Sequence, residues 1–129
     1  MKIISLDHIT INVENLEKSK AFYRDVLKLE EAGFIHMGDH TLTYFRLTSE
    51  CRLELIEYLT PVNTAEVTET DQKIYRHFCL ETDDLEQVFQ DCKTHQITIR
   101  KSPSYVEKLS CSNMLITDPN GVEIEIIQK

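Results

Sequence analysis

Residues 6–17 read LDHITINVENLE and residues 75–86 read YRHFCLETDDLE. Laid over one another without gaps, His8 falls on His77, Glu14 on Asp83, Leu16 on Leu85 and Glu17 on Glu86; further on, Arg24 falls on Lys93. A His in an alternating segment, then an acidic residue, then Leu-Glu opening a helical pattern is a sequence of events that composition alone does not repeat. A short internal repeat of this kind is one supersecondary unit used twice, with neither copy able to close its own core.

The unit can be read outward from these stretches. Over Leu6–Val13 the residues alternate, with Ile9, Ile11 and Val13 on one face and His8, Thr10 and Asn12 on the other, which predicts a half-buried strand. Asn15 is placed to cap the helix that follows, where Leu16, Tyr23, Val26 and Leu27 form an apolar stripe. Three more strands are predicted over Glu30–Met37, Thr41–Leu47 and Arg52–Tyr58, separated by turn-rich composition. The second half repeats the plan. A strand is expected over Tyr75–Thr82, and Leu85, Val88, Phe89 and Cys92 then recur at helical spacing. Strands follow near Ile97–Arg100, Asn113–Thr117 and Val122–Gln128, the last two joined by the turn Asp118-Pro119-Asn120-Gly121. The expected fold class is therefore α+β, two βαβββ modules over residues 5–59 and 74–128 of a single domain. The Thr-rich, acidic stretch Thr60–Lys73 reads as their connector.

Composition narrows the function. A chain of 129 residues, 41% hydrophobic and 28% charged, suits one compact domain or two small modules sharing a core, and it is not a disordered polymer. Twenty-two carboxylates against 14 Lys and Arg give a net charge of −8, which argues against nucleic acid as a partner, because phosphate-backbone binding needs clustered cations. No apolar run approaches the roughly 20 residues that span a bilayer. Met1–Asp7 is too short and too soon interrupted by charge for a secretory signal, so the expectation is a cytoplasmic protein with no membrane partner. Cys51, Cys79, Cys92 and Cys111 form no C-x-x-C pair and read as reduced thiols, mostly in or near the core.

Strand periodicity identifies the groups able to converge. His8 and His77 leave the apolar face of their strands. In the last strand of each half, Glu54 lies between Leu53 and Leu55, and Glu125 between Ile124 and Ile126. A carboxylate in such a context is expensive to bury without a partner. The separations His8–Glu54 and His77–Glu125 are 46 and 48 residues, so each half offers one His from its first strand and one Glu from its last. If the halves pair pseudo-symmetrically, the four groups meet at one point as a mixed N/O set. Such a set suits one divalent ion, Ni, Co, Zn, Fe or Mn. His36 and His40 flank a turn and read as solvated, and His95 is placed to cap a helix end. Tyr44, Arg46 and Tyr105 are candidates to line a cavity.

The strand LDHITINV, the helix start NLEKSKAFYRDVL and the ending DPNGVEIEII resemble the vicinal oxygen chelate superfamily, the glyoxalase, bleomycin-resistance and extradiol-dioxygenase group. The resemblance spans essentially the whole chain. It implies a curled, mostly antiparallel sheet around a central site, a small-molecule substrate and a homodimer. The His/Glu/His/Glu pattern is that of glyoxalase I within the group, which implies His8, Glu54, His77 and Glu125 as metal ligands. It further implies Glu125 as the catalytic base and Glu54 as second proton carrier, in lyase or isomerase chemistry on an α-oxygenated carbonyl compound. Dioxygenase-like members use His/His/Glu, and bleomycin-binding members lack the set. Where glyoxalase I places an Arg and an Asn to hold glutathione, this chain has Asn12 and Tyr58.

Overall fold

The computed structural model describes residues 1–60 and 75–129, so all of the Thr60–Lys73 connector except Thr60 lies outside the described residues. The chain divides into two compact units, Met1–Ala65 and Glu66–Lys129. The first contains β1 (His8–Asn12), α1 (Leu16–Ala21) running into a π-helical turn (Phe22–Val26), β2 (Glu30–His36), β3 (His40–Arg46) and β4 (Arg52–Tyr58). The second contains β5 (Phe78–Glu81), α2 (Leu85–Thr94), β6 (Thr98–Val106), a 3₁₀ turn (Glu107–Leu109), β7 (Cys111–Thr117) and β8 (Glu123–Gln128). Each unit is a four-stranded mixed sheet, in the order β1-β4-β3-β2 and β5-β8-β7-β6, so the α+β class and the βαβββ order hold in both.

In each sheet the first strand lies parallel to the last, and the other pairings are antiparallel. Ile9 sits opposite Leu53 and Ile11 opposite Leu55, while Phe78 sits opposite Ile124 and Leu80 opposite Ile126. The apolar halves of the alternation thus share one face, and the helix covers it. In the first unit Tyr23 meets Phe45 at a ring-centroid distance of 6.1 Å, with Val13, Leu53 and Leu55 also buried. In the second, α2 packs on β6, β7 and β8, and Leu85, Cys92, Met114, Ile116, Ile124 and Ile126 are buried.

Both helices start as their sequences require. Asn15 accepts from the backbone N–H of Lys18 at 3.1 Å, and Asp84 from that of Gln87 at 3.0 Å. His95 closes α2, its ring Nδ1 lying 2.9 Å from the Asp91 carbonyl oxygen. The buried stripe of α1 is Ser19, Phe22, Tyr23 and Val26, whereas Leu16 and Leu27 are only half-buried. The widened turn, in which the Leu27 N–H donates to the Phe22 carbonyl, swings Phe22 inward at the expense of Leu27.

The repeat persists at the level of single hydrogen bonds. The Val13 N–H donates to the Ile56 carbonyl at 2.9 Å and the Thr82 N–H to the Ile127 carbonyl at 2.8 Å. The Leu16 N–H donates to the Glu57 carboxylate at 3.1 Å, and its counterpart Leu85 donates to the Gln128 side-chain oxygen at 2.8 Å. The last strand of each unit therefore ends by satisfying the first turn of that unit's helix.

The clearest departure from the expected strands is β6, which runs to Val106 rather than stopping near Arg100. Pro103 lies within it, and the register against β7 shifts between Ile99 and Lys101 and again between Lys101 and Ser104. Proline has no N–H for a ladder, and β6 is an edge strand where that loss is tolerated. β5 is shorter than expected, spanning only the residues that pair with β8. The Asp118–Gly121 turn forms as its composition predicts. The Asp118 carboxylate accepts from the backbone N–H of Asn120 and of Val122, both at 2.8 Å, and Gly121 takes φ +83°.

Replacing Phe45, which is fully buried against Tyr23, by Ala is expected to cost about 3–5 kcal/mol of stability. Asp84→Ala, which removes only a helix cap, should cost ~1 kcal/mol. Urea denaturation of the two variants checks this ordering.

Candidate metal centre

The parallel pairing of β1 with β4 places Thr10 opposite Glu54, and the antiparallel pairing of β3 with β4 places Tyr44 opposite Glu54 from the other side. All three side chains share the face that the helix leaves uncovered. Glu54 is only 8% exposed, yet its charge is well partnered: Tyr44 Oη donates to Oε2 at 2.6 Å and Thr10 Oγ1 donates to Oε1 at 3.0 Å. The hydrogen bond to Glu54 is the main reason the Tyr44 phenol is held above its ordinary range, with burial adding to it. The Arg52 guanidinium lies over the Tyr44 ring, 4.2 Å from its centroid. His8 Nε2 faces Glu54 Oε1 at 4.0 Å, and its other nitrogen, Nδ1, pairs with Asp7 Oδ2 at 2.7 Å.

The second unit repeats the backbone arrangement with different side chains. Cys79 lies opposite Glu125 on one side and Leu115 on the other, the positions that Thr10 and Tyr44 hold around Glu54. Glu125 is half-buried. Its Oε2 accepts from Asn113 Nδ2 at 3.0 Å, and Asn113 is held in turn by the Lys101 ammonium, which donates to its side-chain oxygen. Burial works against the Glu125 charge, but the Asn113 amide, the Cys79 thiol and the nearby His77 and Lys101 outweigh it and lower its pKa. The same contact acts oppositely on Cys79, whose thiol is pushed up to about 12 by burial and by the adjacent carboxylate. His77 Nε2 faces Glu125 Oε1 at 3.9 Å, while Nδ1 faces Glu123 Oε2 at 4.0 Å.

Within each unit the structure thus brings together the His and Glu singled out in the sequence. The separations of 4.0 and 3.9 Å are too long for hydrogen bonds. Two ligands held on one ion by bonds of roughly 2.0–2.1 Å at angles of about 90–109° lie about 2.9–3.4 Å apart, so each pair must close by about 0.6–1 Å to chelate it. One imidazole nitrogen and one carboxylate oxygen in each unit is a donor pair that fits a borderline divalent ion. Among the described residues, no group of three or more His, Cys, Asp or Glu side chains is gathered about a single ion position.

The other candidates have local partners. His36 Nδ1 lies 3.2 Å from Thr41 Oγ1, and His40 Nδ1 lies 2.6 Å from Asp39 Oδ1 with its ring 5.0 Å from that of Tyr58, tilted by 34°. Arg46 pairs with Glu30, and Tyr105 is exposed. The four cysteines are free thiols, and Cys51, Cys92 and Cys111 are buried. Sequence reading passed over Thr10, Asn113 and Lys101, although their shared face with a Glu was readable for Thr10 from strand period. Asn113 and Lys101 act diagonally across three strands, for which the sequence carries no signal.

Residues 5–126 match the family model of the Glyoxalase/Bleomycin resistance protein/Dioxygenase superfamily. Mouse mitochondrial methylmalonyl-CoA epimerase is 27% identical over 100 residues, covering 74% of this chain and 56% of the epimerase, so the match spans little more than half of that protein. The glyoxalase I of Leishmania major superposes with a TM-score of 0.76 at 21% identity, over 98% of this chain and 87% of that one. A glyoxylase/bleomycin resistance protein/dioxygenase domain from Frankia sp. EAN1pec gives 0.82 at 14% identity, over 98% of each chain. At these identities the structural likeness establishes the fold.

Two measurements check the electrostatics of the two faces. Tyr44→Phe leaves a buried Glu54 oxygen without its donor and should cost about 1–3 kcal/mol in urea denaturation. In metal-free protein at pH 8, Cys79 should alkylate about tenfold to a hundredfold more slowly than free cysteine despite its exposure, because the thiolate is the nucleophile. Cys92, fully buried and raised to about 11, should react only on unfolding.

Proposed function

The chain belongs to the Glyoxalase/Bleomycin resistance protein/Dioxygenase superfamily, and from that membership we propose that it is a metal-dependent, glyoxalase I-like lyase or isomerase. Its substrate is a small α-oxygenated carbonyl compound, and its reaction is a proton transfer beside the carbonyl. The observation that carries this reading is the matched pair of half-sites. In both modules a His at the start of the first strand (His8) or just before it (His77) turns Nε2 toward a Glu of the last strand, at 4.0 and 3.9 Å, with the Glu on the uncovered face.

His8, Glu54, His77 and Glu125 are the ligands in this proposal, drawn from modules 5–59 and 74–128, for one divalent ion of the Ni, Co, Zn, Fe or Mn class. Such an ion, when bound, polarises a substrate oxygen and acidifies the neighbouring C–H. The chain's own residues then differ in what they can contribute. Glu54 has both oxygens tied, one by the Tyr44 phenol and one by the Thr10 hydroxyl, which suits a fixed ligand that can pass a proton to or from Tyr44. Glu125 is more exposed, and Asn113 holds its Oε2 while its Oε1 faces His77. That arrangement leaves Glu125 the better placed of the two to take the substrate proton, and the lowered pKa keeps it ionised at neutral pH. Asn113, oriented by Lys101, sets the angle at which Glu125 presents itself. Asn12 and Tyr58 stand where a glutathione-binding pair would be expected, which favours a substrate other than a glutathione adduct. The proposal includes a homodimer and a cytoplasmic setting. Among the described residues no helix is long and apolar enough to cross a membrane.

Protein purified without added metal should carry a divalent ion by elemental analysis and lose it in His77→Ala and Glu54→Ala. In a screen of acyl-CoA epimerisation, glyoxal–thiol adducts and catechols, one of the first two should turn over. Glu125→Gln should then lower kcat by about 10²–10⁴-fold. A wild-type protein that binds no divalent ion overturns the reading; turnover of catechols alone would move it to the dioxygenase branch.

A further inference from the structure

Two buried polar atoms, His77 Nδ1 and Glu123 Oε1, have no hydrogen-bond partner among the described residues. They belong to side chains that face one another. His77 Nδ1 lies 4.0 Å from Glu123 Oε2, and Glu123 is 9% exposed at the start of β8, two residues before Glu125. A buried imidazole nitrogen left unpaired costs about 1–3 kcal/mol, so its persistence beside a carboxylate calls for an explanation.

The other half of the repeat supplies one. His8 also uses its two nitrogens for two different carboxylates: Nε2 faces Glu54 at 4.0 Å, and Nδ1 is hydrogen-bonded to Asp7 at 2.7 Å. His77 has the same division, with Nε2 toward Glu125 and Nδ1 toward Glu123. The two outer carboxylates come from unrelated places. Asp7 precedes its His in the chain and is exposed, whereas Glu123 reaches across from the last strand and is buried. A common nitrogen assignment reached through different residues points to a shared requirement at the ring and not to an inherited side chain.

We propose that Glu123 is the positioning residue for His77: it holds the imidazole as the Nδ1–H tautomer, so that the Nε2 lone pair is directed toward Glu125, as Asp7 does for His8. The inference rests on the metal reading above for its purpose, though not for its geometry. A neutral imidazole carries one proton, and the nitrogen that donates is set by the acceptor within reach. The second carboxylate of a carboxylate–histidine–metal arrangement both fixes the ring and raises the basicity of the ligating nitrogen. Glu123 is itself steadied for this work. Arg76 Nε donates to its Oε2 at 3.2 Å, and the Arg100 guanidinium lies 3.6 Å from Oε1. Those two cations offset the cost of burying the carboxylate and hold it in place. The hydrogen bond forms when the 4.0 Å separation of Nδ1 from Oε2 shortens by about 1 Å.

The test reads the tautomer directly, by long-range ¹H–¹⁵N NMR of the metal-free full chain, and separately reads the affinity for Zn²⁺ or Ni²⁺ by competition with a chromophoric chelator. Wild-type His77 should be the Nδ1–H form. Glu123→Leu, which removes the acceptor, should abolish that preference and weaken ion binding by about 10–100-fold. Glu123→Gln should retain much of both, because its amide oxygen can occupy the Oε2 position. His77 found as the Nε2–H form in the wild type, or Glu123→Leu binding the ion as tightly as wild type, overturns the proposal. If Glu123→Leu does not fold, the wild-type tautomer and Glu123→Gln still decide it. A wild type that binds neither ion but shows the Nδ1–H tautomer, lost in Glu123→Leu, defeats the metal reading while leaving the role of Glu123 standing.

Discussion

Everything distinctive in this protein depends on one pairing used twice, the parallel contact between the first and last strands of each βαβββ unit. Parallel strands cannot be joined by a short hairpin, and here a helix and two further strands lie between them in sequence. The register of that contact then sets both faces at once. With Ile9 against Leu53 and Ile11 against Leu55, the apolar side chains turn toward the helix, and Thr10 and Glu54 must emerge together on the other side. A slip of one residue would move Glu54 into the core and Leu53 and Leu55 out of it. The same holds for Cys79 and Glu125 opposite the apolar Phe78–Ile124 and Leu80–Ile126 pairs.

The two halves keep the backbone of the repeat and diverge in its chemistry. Around Glu54 the neighbours are hydroxyl donors, a phenol and a threonine, with Arg52 stacked on the phenol ring. Around Glu125 they are an amide backed by an ammonium, and a thiol. Two carboxylates at equivalent positions thereby acquire different burial and freedom. The repeat thus sets the same residue type in two different electrostatic surroundings.

Much of the fold was legible in the sequence. The alternation over Ile9–Val13, the cap Asn15, the stripe Leu85–Val88–Phe89–Cys92 and the Asp118–Gly121 turn are local signals, and each formed where short-range physics places it. The errors are local too. The strand expected near Ile97–Arg100 runs on through Pro103 to Val106, because the cost of a proline depends on whether the strand is an edge. The stripe of α1 was displaced toward Phe22 because a helix that widens by one residue changes which side chains share a face.

The sequence by itself determined that there are two copies of one unit, and that each presents a His and a Glu away from its apolar face, since strand period and repeat spacing are properties of the chain alone. Only the tertiary structure decided what surrounds those groups: that Tyr44 and Thr10 tie Glu54, that Lys101 and Asn113 steer Glu125, and that Asp7 and Glu123 face the far nitrogens of the two histidines. These contacts join residues on neighbouring strands or across a sheet diagonal. Their partners are chosen by register and side-chain reach, and the period of a single strand carries neither.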